Sequence, residues 1–243
     1  MKLAVQLYSL REYVQKNGIE KALQLVAECG YDGVEFAGFY GKTPAEMKAL
    51  VARYGLEPVS AHMGAADVKN NLPYIDELGI RYVFVAWAST EEFSDAEKYA
   101  LLLKNMREGK QLLAPRGVIF GYHNHEHEFA NGADHMRRLV EDADVYAETD
   151  VCWLFVGGKD PVSYMKGMGK RLAAVHIKEV PSGDAHTDAA PVVGEGLIDL
   201  AAIMAQARDQ GVEWGILEAE KTAVPEKEYL QKSLENIRNA LKG

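Results

Sequence analysis

The sequence predicts a closed (β/α)8 barrel of the α/β class, a single domain over residues 1–243. Eight short apolar runs alternate with eight longer amphipathic stretches, and no linker-like or low-complexity segment interrupts them. The length is close to the ~250 residues of a typical barrel domain. Strand–helix units in series place parallel strands side by side through right-handed crossovers, and eight such units suffice to close the sheet.

The strands are predicted where short apolar runs are bounded by turn residues. In chain order they are Leu3–Tyr8, Asp32–Phe36, Leu56–Ala61, Arg81–Ala86, Val118–His123, Val145–Asp150, Leu172–Lys178 and Trp214–Ala219. An open doubly wound sheet is the competing arrangement. It would usually carry a glycine-rich phosphate turn after the first strand, and the segment LYSLREY has none.

The helices are predicted from apolar residues that recur with helical spacing between these strands. They are Ile19–Glu28, Thr43–Tyr54, Lys69–Leu78, Asp95–Leu113, Asp134–Glu141, Pro161–Gly169, Leu197–Gln210 and Glu226–Leu241. Several are followed by a glycine just before the next strand, as at Gly30, Gly55 and Gly211. Glycine at this place supplies the left-handed residue that ends a helix.

Composition narrows the functional classes. With 36 acidic and 27 basic residues the net charge is −9, which argues against binding to nucleic acid or to an anionic membrane surface. No apolar run approaches the ~20 residues of a membrane span, and the N-terminal residues lack a signal-peptide core. Cys29 and Cys152 form no C-x-x-C pair, so we expect a cytoplasmic protein. Homo-oligomerisation stays open.

Polar side chains recur on one face of nearly every predicted strand, at its C-terminal end. Alternation along a strand separates them from the apolar set, which should face the helices. The inward set is Gln6, Tyr8, Glu35, Ser60, His62, His123, His125, Glu148, Asp150, His176, Lys178, Glu218 and Glu220. Barrel enzymes build their active sites at this end, so we expect one site at the barrel mouth.

The inward set is rich in carboxylates and imidazoles, which points to a cation. A single inward Glu or His is often only a hydrogen-bonded structural residue, but so many together would be costly to bury without a cation. Asp150, His176 and Glu218 lie at comparable height on three consecutive strands. Mixed oxygen and imidazole ligands suit Mn, Mg, Zn or Co.

A series of motifs resembles the xylose-isomerase-like TIM barrels, specifically the sugar phosphate isomerase/epimerase group. In order they are QLYSLRE, GYDGVEFAG, SAH, GYHNHEHEF, ETDVCW, HIKE, VGEG and ILEAE. Each motif is weak alone, but the ordered set touches nearly the whole chain. The resemblance implies a metal held by Glu, Asp, His and Glu on successive strands, of which Asp150, His176 and Glu218 match the last three.

The remaining metal ligand is left open by the sequence. His123 stands where the family has its first glutamate, within a Tyr-His-Asn-His pattern like that of an inosose-dehydratase-like branch. Glu148 lies two residues before Asp150 and faces the same way, so it is either the fourth ligand or a residue that orients His123. We expect Glu148 to favour the charged form of His123, and hence proton donation by this imidazole.

The resemblance implies proton abstraction next to a sugar carbonyl, through an enediolate. Isomerisation, epimerisation and dehydration share this step. Glu218 is the leading candidate base, with His123 opposite it, and Lys178 and His62 are candidates for contacting substrate hydroxyls, although Lys178 could equally form a structural salt bridge. The predicted substrate-binding residues are Tyr8, Glu35, Trp87, His125 and Trp153, with the two tryptophans as apolar walls.

Other functions stay open beside a metal-dependent sugar isomerase or epimerase. A lyase, dehydratase or 3-keto-glycoside-cleaving enzyme would use the same proton removal. An apurinic endonuclease of the same superfamily would need more histidine ligands and a basic groove, against which the net charge of −9 argues. An inactive barrel used only for binding is the non-enzymatic alternative. The absence of a glycine-rich phosphate loop favours an unphosphorylated sugar.

Overall fold

The computed structural model, which describes residues 1–242, is a closed barrel of eight parallel strands paired in chain order. The strands are β1 (Lys2–Gln6), β2 (Gly33–Phe36), β3 (Glu57–Met63), β4 (Tyr82–Val85), β5 (Ile119–His123), β6 (Tyr146–Asp150), β7 (Leu172–Ile177) and β8 (Trp214–Leu217). β8 pairs with β1 from Trp214 opposite Lys2 to Leu217 opposite Val5. This last ladder excludes the open sheet and confirms the predicted barrel.

Helices follow the strands and cover the outside of the barrel. They are α1 (Arg11–Asn17), α2 (Ile19–Cys29), α3 (Pro44–Arg53), α4 (Val68–Leu78), α5 (Thr90–Ser94), α6 (Ala96–Leu113), α7 (His135–Ala143), α8 (Val151–Val156), α9 (Pro161–Met168), α10 (Leu200–Asp209) and α11 (Glu226–Ala240). Within residues 1–242, no helix has both the length and the apolar character needed to cross a bilayer.

Three short helices, α1, α5 and α8, were not predicted. Each has at most seven residues, too few to show helical periodicity, and of the three only α5 and α8 begin at a side-chain cap. Ser89 begins α5 with a capping box, in which its hydroxyl accepts from the Glu92 N–H and the Glu92 carboxylate accepts from the Ser89 N–H. Asp150 begins α8 by accepting from the Trp153 N–H at 2.9 Å.

The lower barrel interior is apolar and forms a base beneath the mouth. It is filled by Ala4, Val59, Tyr82, Phe84, Ala174, Trp214 and Ile216. Strict alternation placed Val59 on the helix-facing side, which is wrong. A register shift between Val34 and Glu35 lets β3 bulge, and Val59 lies against Gly33, where an added Cβ would approach its Cγ2 to 2.6 Å.

Candidate metal and active site

The predicted polar residues converge at the C-terminal ends of the strands. Strand pairing sets His123 beside Glu148 and Asp150 beside His176, while Gln6 lies beside Glu35. Glu35, Glu148, Asp150 and His176 have no exposed surface, and Glu218 is 6% exposed. Parallel strands therefore gather at least four carboxylates and several imidazoles above the apolar base.

One set of metal-ligating side chains, the outer donor group, consists of His123, Asp150, His176 and Glu218. One nitrogen or oxygen from each lies within 4.8 Å of those of the others. Asp150 Oδ2 is buried and has no hydrogen-bond partner among the described residues. Such an oxygen is costly to bury, and a cation at this point would satisfy it.

A second set, the inner donor group, consists of His62, His123, Glu148 and His176. Glu148 Oε2 is 2.6 Å from His62 Nε2, 3.1 Å from His123 Nδ1 and 3.2 Å from His176 Nε2. Glu148 is thus centred on three imidazoles and lies outside the outer donor group. Of the two candidates for the fourth ligand beside Asp150, His176 and Glu218, the geometry favours His123.

His176, like His123, belongs to both groups, and its two ring nitrogens point to different carboxylates. Nε2 is 2.6 Å from Glu35 Oε1, and Nδ1 is 3.0 Å from Glu218 Oε2. Gln6 donates to the same Glu35 oxygen at 2.7 Å, which fixes the carboxylate in place. A carboxylate on one imidazole nitrogen orients the ring so that the other nitrogen can bind a metal.

The residues present therefore fit a divalent cation. The outer donor group offers two carboxylates and two imidazoles, a mixture compatible with Mn, Mg, Zn or Co. Behind it, Glu35 Oε2 and Glu148 Oε1 are also buried without partners. Buried carboxylate oxygens without a hydrogen-bond partner are costly, and a bound cation would offset part of that cost.

Charge separation within the site is reflected in the pKa values. Burial alone would raise the pKa of Glu148, but the His176 and His62 imidazoles outweigh it and hold that pKa well below its ordinary value. Burial would likewise lower the pKa of His62, but the Glu35 and Glu148 carboxylates raise it. His62 and Glu148 therefore behave as an ion pair.

His123 differs from the sequence expectation. Burial and the neighbouring His176 lower the pKa of His123 to about 4, despite its hydrogen bond to Glu148. The expectation that Glu148 would keep His123 charged is wrong, because the imidazole is fully buried beside another one that carries the positive charge. A neutral imidazole can accept a proton or bind a metal, but cannot serve as a ready acid at neutral pH.

The site opens into a cavity of about 560 Å³. Seven predicted residues line it: Tyr8, His62, Trp87, His123, His125, Trp153 and Glu218. Glu35 and Lys178 do not. Glu35 lies beneath the cavity against His176, while Lys178 forms a salt bridge with Glu220 and its ammonium is 3.9 Å from the centre of the Trp153 ring.

Two further lining residues, Glu126 and His186, come from loops without periodicity. Glu126 lies inside the GYHNHEHEF motif but was not predicted as a site residue, and no motif contains His186. Asn124 was visible only within the Tyr-His-Asn-His pattern. Its amide oxygen accepts from the Asp150 N–H at 3.0 Å and its amide nitrogen donates to the Asp150 carbonyl at 3.3 Å, so it holds the backbone of a candidate ligand.

The loop after β7 is held by the glutamate of the HIKE motif. Glu179 is fully buried, and its carboxylate accepts from the N–H groups of Val180, Gly194 and Ile198 at 2.9, 2.9 and 3.1 Å. Gly194 and Gly196 belong to the VGEG motif. At Gly196 an added Cβ would lie 2.4 Å from the Glu179 side chain, so only glycine fits. The two motifs thus form one structural unit beside the site.

Comparisons with known proteins identify the family and the fold. The model of the xylose isomerase-like TIM barrel family matches residues 23–240. Inosose dehydratase from Geobacillus kaustophilus (strain HTA426) is 22% identical over 191 residues, which span 66% of this chain and 62% of that protein. Fructoselysine 3-epimerase from Escherichia coli O157:H7 is 25% identical over 246 residues, spanning 82% of this chain and 84% of that protein.

Among solved structures, a sugar phosphate isomerase/epimerase from Parabacteroides distasonis ATCC 8503 shares the fold. The TM-score is 0.78 at 21% identity, and the match covers 96% of this chain and 92% of that one.

Proposed function

The chain belongs to the xylose isomerase-like TIM barrel family, and we propose that it is a metal-dependent sugar isomerase or epimerase that transfers a proton next to a carbonyl. The observation that carries this proposal is the outer donor group, whose His123 and Glu218 also line the cavity. A substrate in the cavity would therefore contact the same side chains that offer the metal ligands.

His123, Asp150, His176 and Glu218 would hold the metal. When bound, a divalent cation would polarise the sugar carbonyl and offset the negative charge that develops on its oxygen. The protein contributes the fixed orientation of these side chains. Asp150 is held through Asn124 and the Trp153 N–H, and His176 through Glu35.

Glu218 is the proposed base. It lines the cavity, and although burial alone would raise its pKa, the adjacent His176 holds that pKa well below the ordinary value, so the carboxylate is ionised, as a proton acceptor must be. His62 is the proposed proton donor. It lines the same cavity and contacts the Glu148 carboxylate at 2.6 Å, which supports its charged form.

A dehydratase or lyase is the second candidate. Its supporting observation is that the two groups differ in kind, with a carboxylate to take the proton and a charged imidazole to give one. Expulsion of a hydroxyl or alkoxide needs an acid that protonates the leaving oxygen, whereas epimerisation returns the proton to the opposite face of the same carbon and can use two groups of the same kind. The inosose dehydratase relative also supports it. A nuclease is disfavoured, since none of the described residues that line the cavity is lysine or arginine.

We propose that the substrate is a small sugar and that the protein works in the cytoplasm. Both described cysteines, Cys29 and Cys152, are buried and unpaired, which is typical of proteins in reducing compartments.

The experiment is metal analysis of the purified protein, followed by exchange of substrate protons in deuterium oxide. Ketohexoses and a keto-inositol are incubated with the metal-loaded protein and examined by proton NMR. We expect exchange at the carbon next to the carbonyl, which Glu218→Gln should abolish and Glu235→Gln, on the exposed face of α11, should not. The product then separates the two candidates. Protein that binds no divalent metal and exchanges no proton in any of these sugars would contradict both.

A further inference from the structure

The cavity is chemically divided. Its polar floor is made by His62, His123 and Glu218, whereas one side carries large aromatic rings. Trp87 and Trp153 line this side and both contact His125, with ring centres 4.8 and 5.9 Å from that of the imidazole, and we call these two indoles the aromatic wall.

Trp87 is the most exposed large apolar side chain in the described part of the protein, at 57%. The indole is nevertheless held in place, because its ring centre is 4.3 Å from that of His127 and 4.8 Å from that of His125. His127 is itself fixed, with Nε2 2.8 Å from the Ala88 carbonyl oxygen. An ordered and exposed indole at the edge of a cavity is typical of a binding surface.

Trp153 provides an independent observation. It is only 4% exposed, yet its indole N–H is buried without a hydrogen-bond partner among the described residues. The ring packs against His186 with centres 4.9 Å apart. Buried indole N–H groups usually find an acceptor, and a ligand oxygen in the cavity would supply one.

The charges of the lining residues restrict what the ligand can be. Glu126, Glu218 and Glu220 line the cavity, and the described lining residues include no lysine or arginine. The nearby Lys178 is already paired with Glu220. A phosphate or carboxylate on the ligand would meet three lining carboxylates and no lining lysine or arginine, and His62 is already paired with Glu148, so the charge favours a neutral molecule.

We propose that the aromatic wall is a binding site for a flat apolar substituent, such as an aryl group, carried by a neutral sugar. This inference rests on the proposed function for the other end of the molecule, where oxygen atoms of the sugar are held over the outer donor group. The apolar substituent packs on Trp87, and an oxygen of the ligand accepts from the Trp153 N–H.

The test is calorimetric binding to the metal-loaded protein and needs no turnover. Phenyl and methyl glucopyranosides, both anomers of each, are compared with glucose 6-phosphate. We expect a phenyl glucoside to bind about tenfold more tightly than its methyl counterpart, and the phosphate more weakly than either. Trp87→Ala should remove the phenyl preference and Trp87→Phe should retain part of it. The control is Tyr146→Ala, an exposed aromatic residue at the start of β6, at the opposite end of the barrel.

The proposal is overturned if no phenyl glucoside binds, if the preference survives Trp87→Ala, or if the phosphate binds best. It is also overturned if Trp87→Ala changes the sedimenting mass, since a second copy of the chain would then cover the indole. Proton exchange, measured separately, decides the proposed function. If protons exchange but no phenyl preference is found, the proposed function stands and the aryl site is rejected. If a phenyl preference is found but no proton exchanges, only the proposed function is rejected.

Discussion

At the scale of single residues, Glu35 shows how a side chain outside the cavity can control the site. It is fully buried on β2 and contacts His176 Nε2 at 2.6 Å. The opposite nitrogen of this imidazole faces Glu218 and the outer donor group. Glu35 thus acts through His176, as a positioning residue with no contact to the substrate.

Replacing Glu35 with Gln should weaken metal binding by about 10–100-fold, as is typical when a carboxylate behind a metal-binding imidazole is lost. The amide keeps the size of the side chain and one acceptor oxygen, so the fold should persist. Titration with Mn²⁺ or Zn²⁺ by calorimetry measures the effect, with Glu235→Gln as the control for a lost surface charge. An unchanged dissociation constant would show that Glu35 does not contribute to metal binding.

Substitution of either Asp150→Asn or His176→Gln should remove metal and activity together. Asparagine also begins helices well, so Asp150→Asn should keep the cap of α8 and leave the circular dichroism spectrum unchanged. Metal content by mass spectrometry is the direct measurement. If both variants retain their metal, the site lies elsewhere.

Much of this residue-level picture was predictable from alternation along the strands. Asp150, His176 and Glu218 have fixed direction because the pleat of a strand leaves no choice. Glu126 and His186 were not predictable, because they come from irregular loops whose direction depends on tertiary contacts. The pKa of His123 was also out of reach, since it depends on burial and on the charge of His176, which no local pattern contains.

At the scale of elements, the loop after β7 depends on one carboxylate. Glu179 accepts from three backbone N–H groups with two oxygens. Glu179→Gln leaves one oxygen and turns an amide N–H₂ against at least one of these donors. We expect a loss of about 1–3 kcal/mol in the free energy of unfolding, measured by urea denaturation.

Glu195→Gln is a matched control because Glu195 lies exposed in the same loop. It removes the same charge and should leave the free energy of unfolding unchanged within experimental error. Equal effects of the two variants would show that charge alone, and not the hydrogen bonds of Glu179, governs the loop.

The strands and the longer helices followed from periodicity, but the bulge in β3 did not. It inserts one residue and brings Val59 to the interior, and nothing in EPVSAHM signals the extra residue. The cause is the close approach of the strands at Gly33, a contact between residues that are distant in sequence.

At the scale of the whole molecule, we predict that the barrel unfolds as one unit. The β1–β8 ladder joins the two ends of the chain, and Arg238 of α11 donates to the Gly30 carbonyl at 2.8 Å across the same junction. In a variant with Trp87 and Trp153 replaced by Phe, the tryptophan fluorescence comes only from Trp214, which is buried in the base. Its fluorescence and the circular dichroism should change at the same urea concentration, and two separate midpoints would indicate more than one domain.

Four carboxylates lie together in one buried place, and this affects the lifetime of the protein in the cell. They are Glu35, Glu148, Asp150 and Glu218. Burial raises the pKa of Asp150 to about 7, so without a cation this carboxyl is partly protonated at neutral pH, and a bound cation would replace its proton. A ligand at 100 times its dissociation constant stabilises the folded state by about 2.7 kcal/mol. In metal-starved cells the chain would then unfold more often and be degraded faster. Pulse-chase measurement of its half-life with and without a chelator tests this. Supply of the ion would set the amount of the enzyme as well as its turnover.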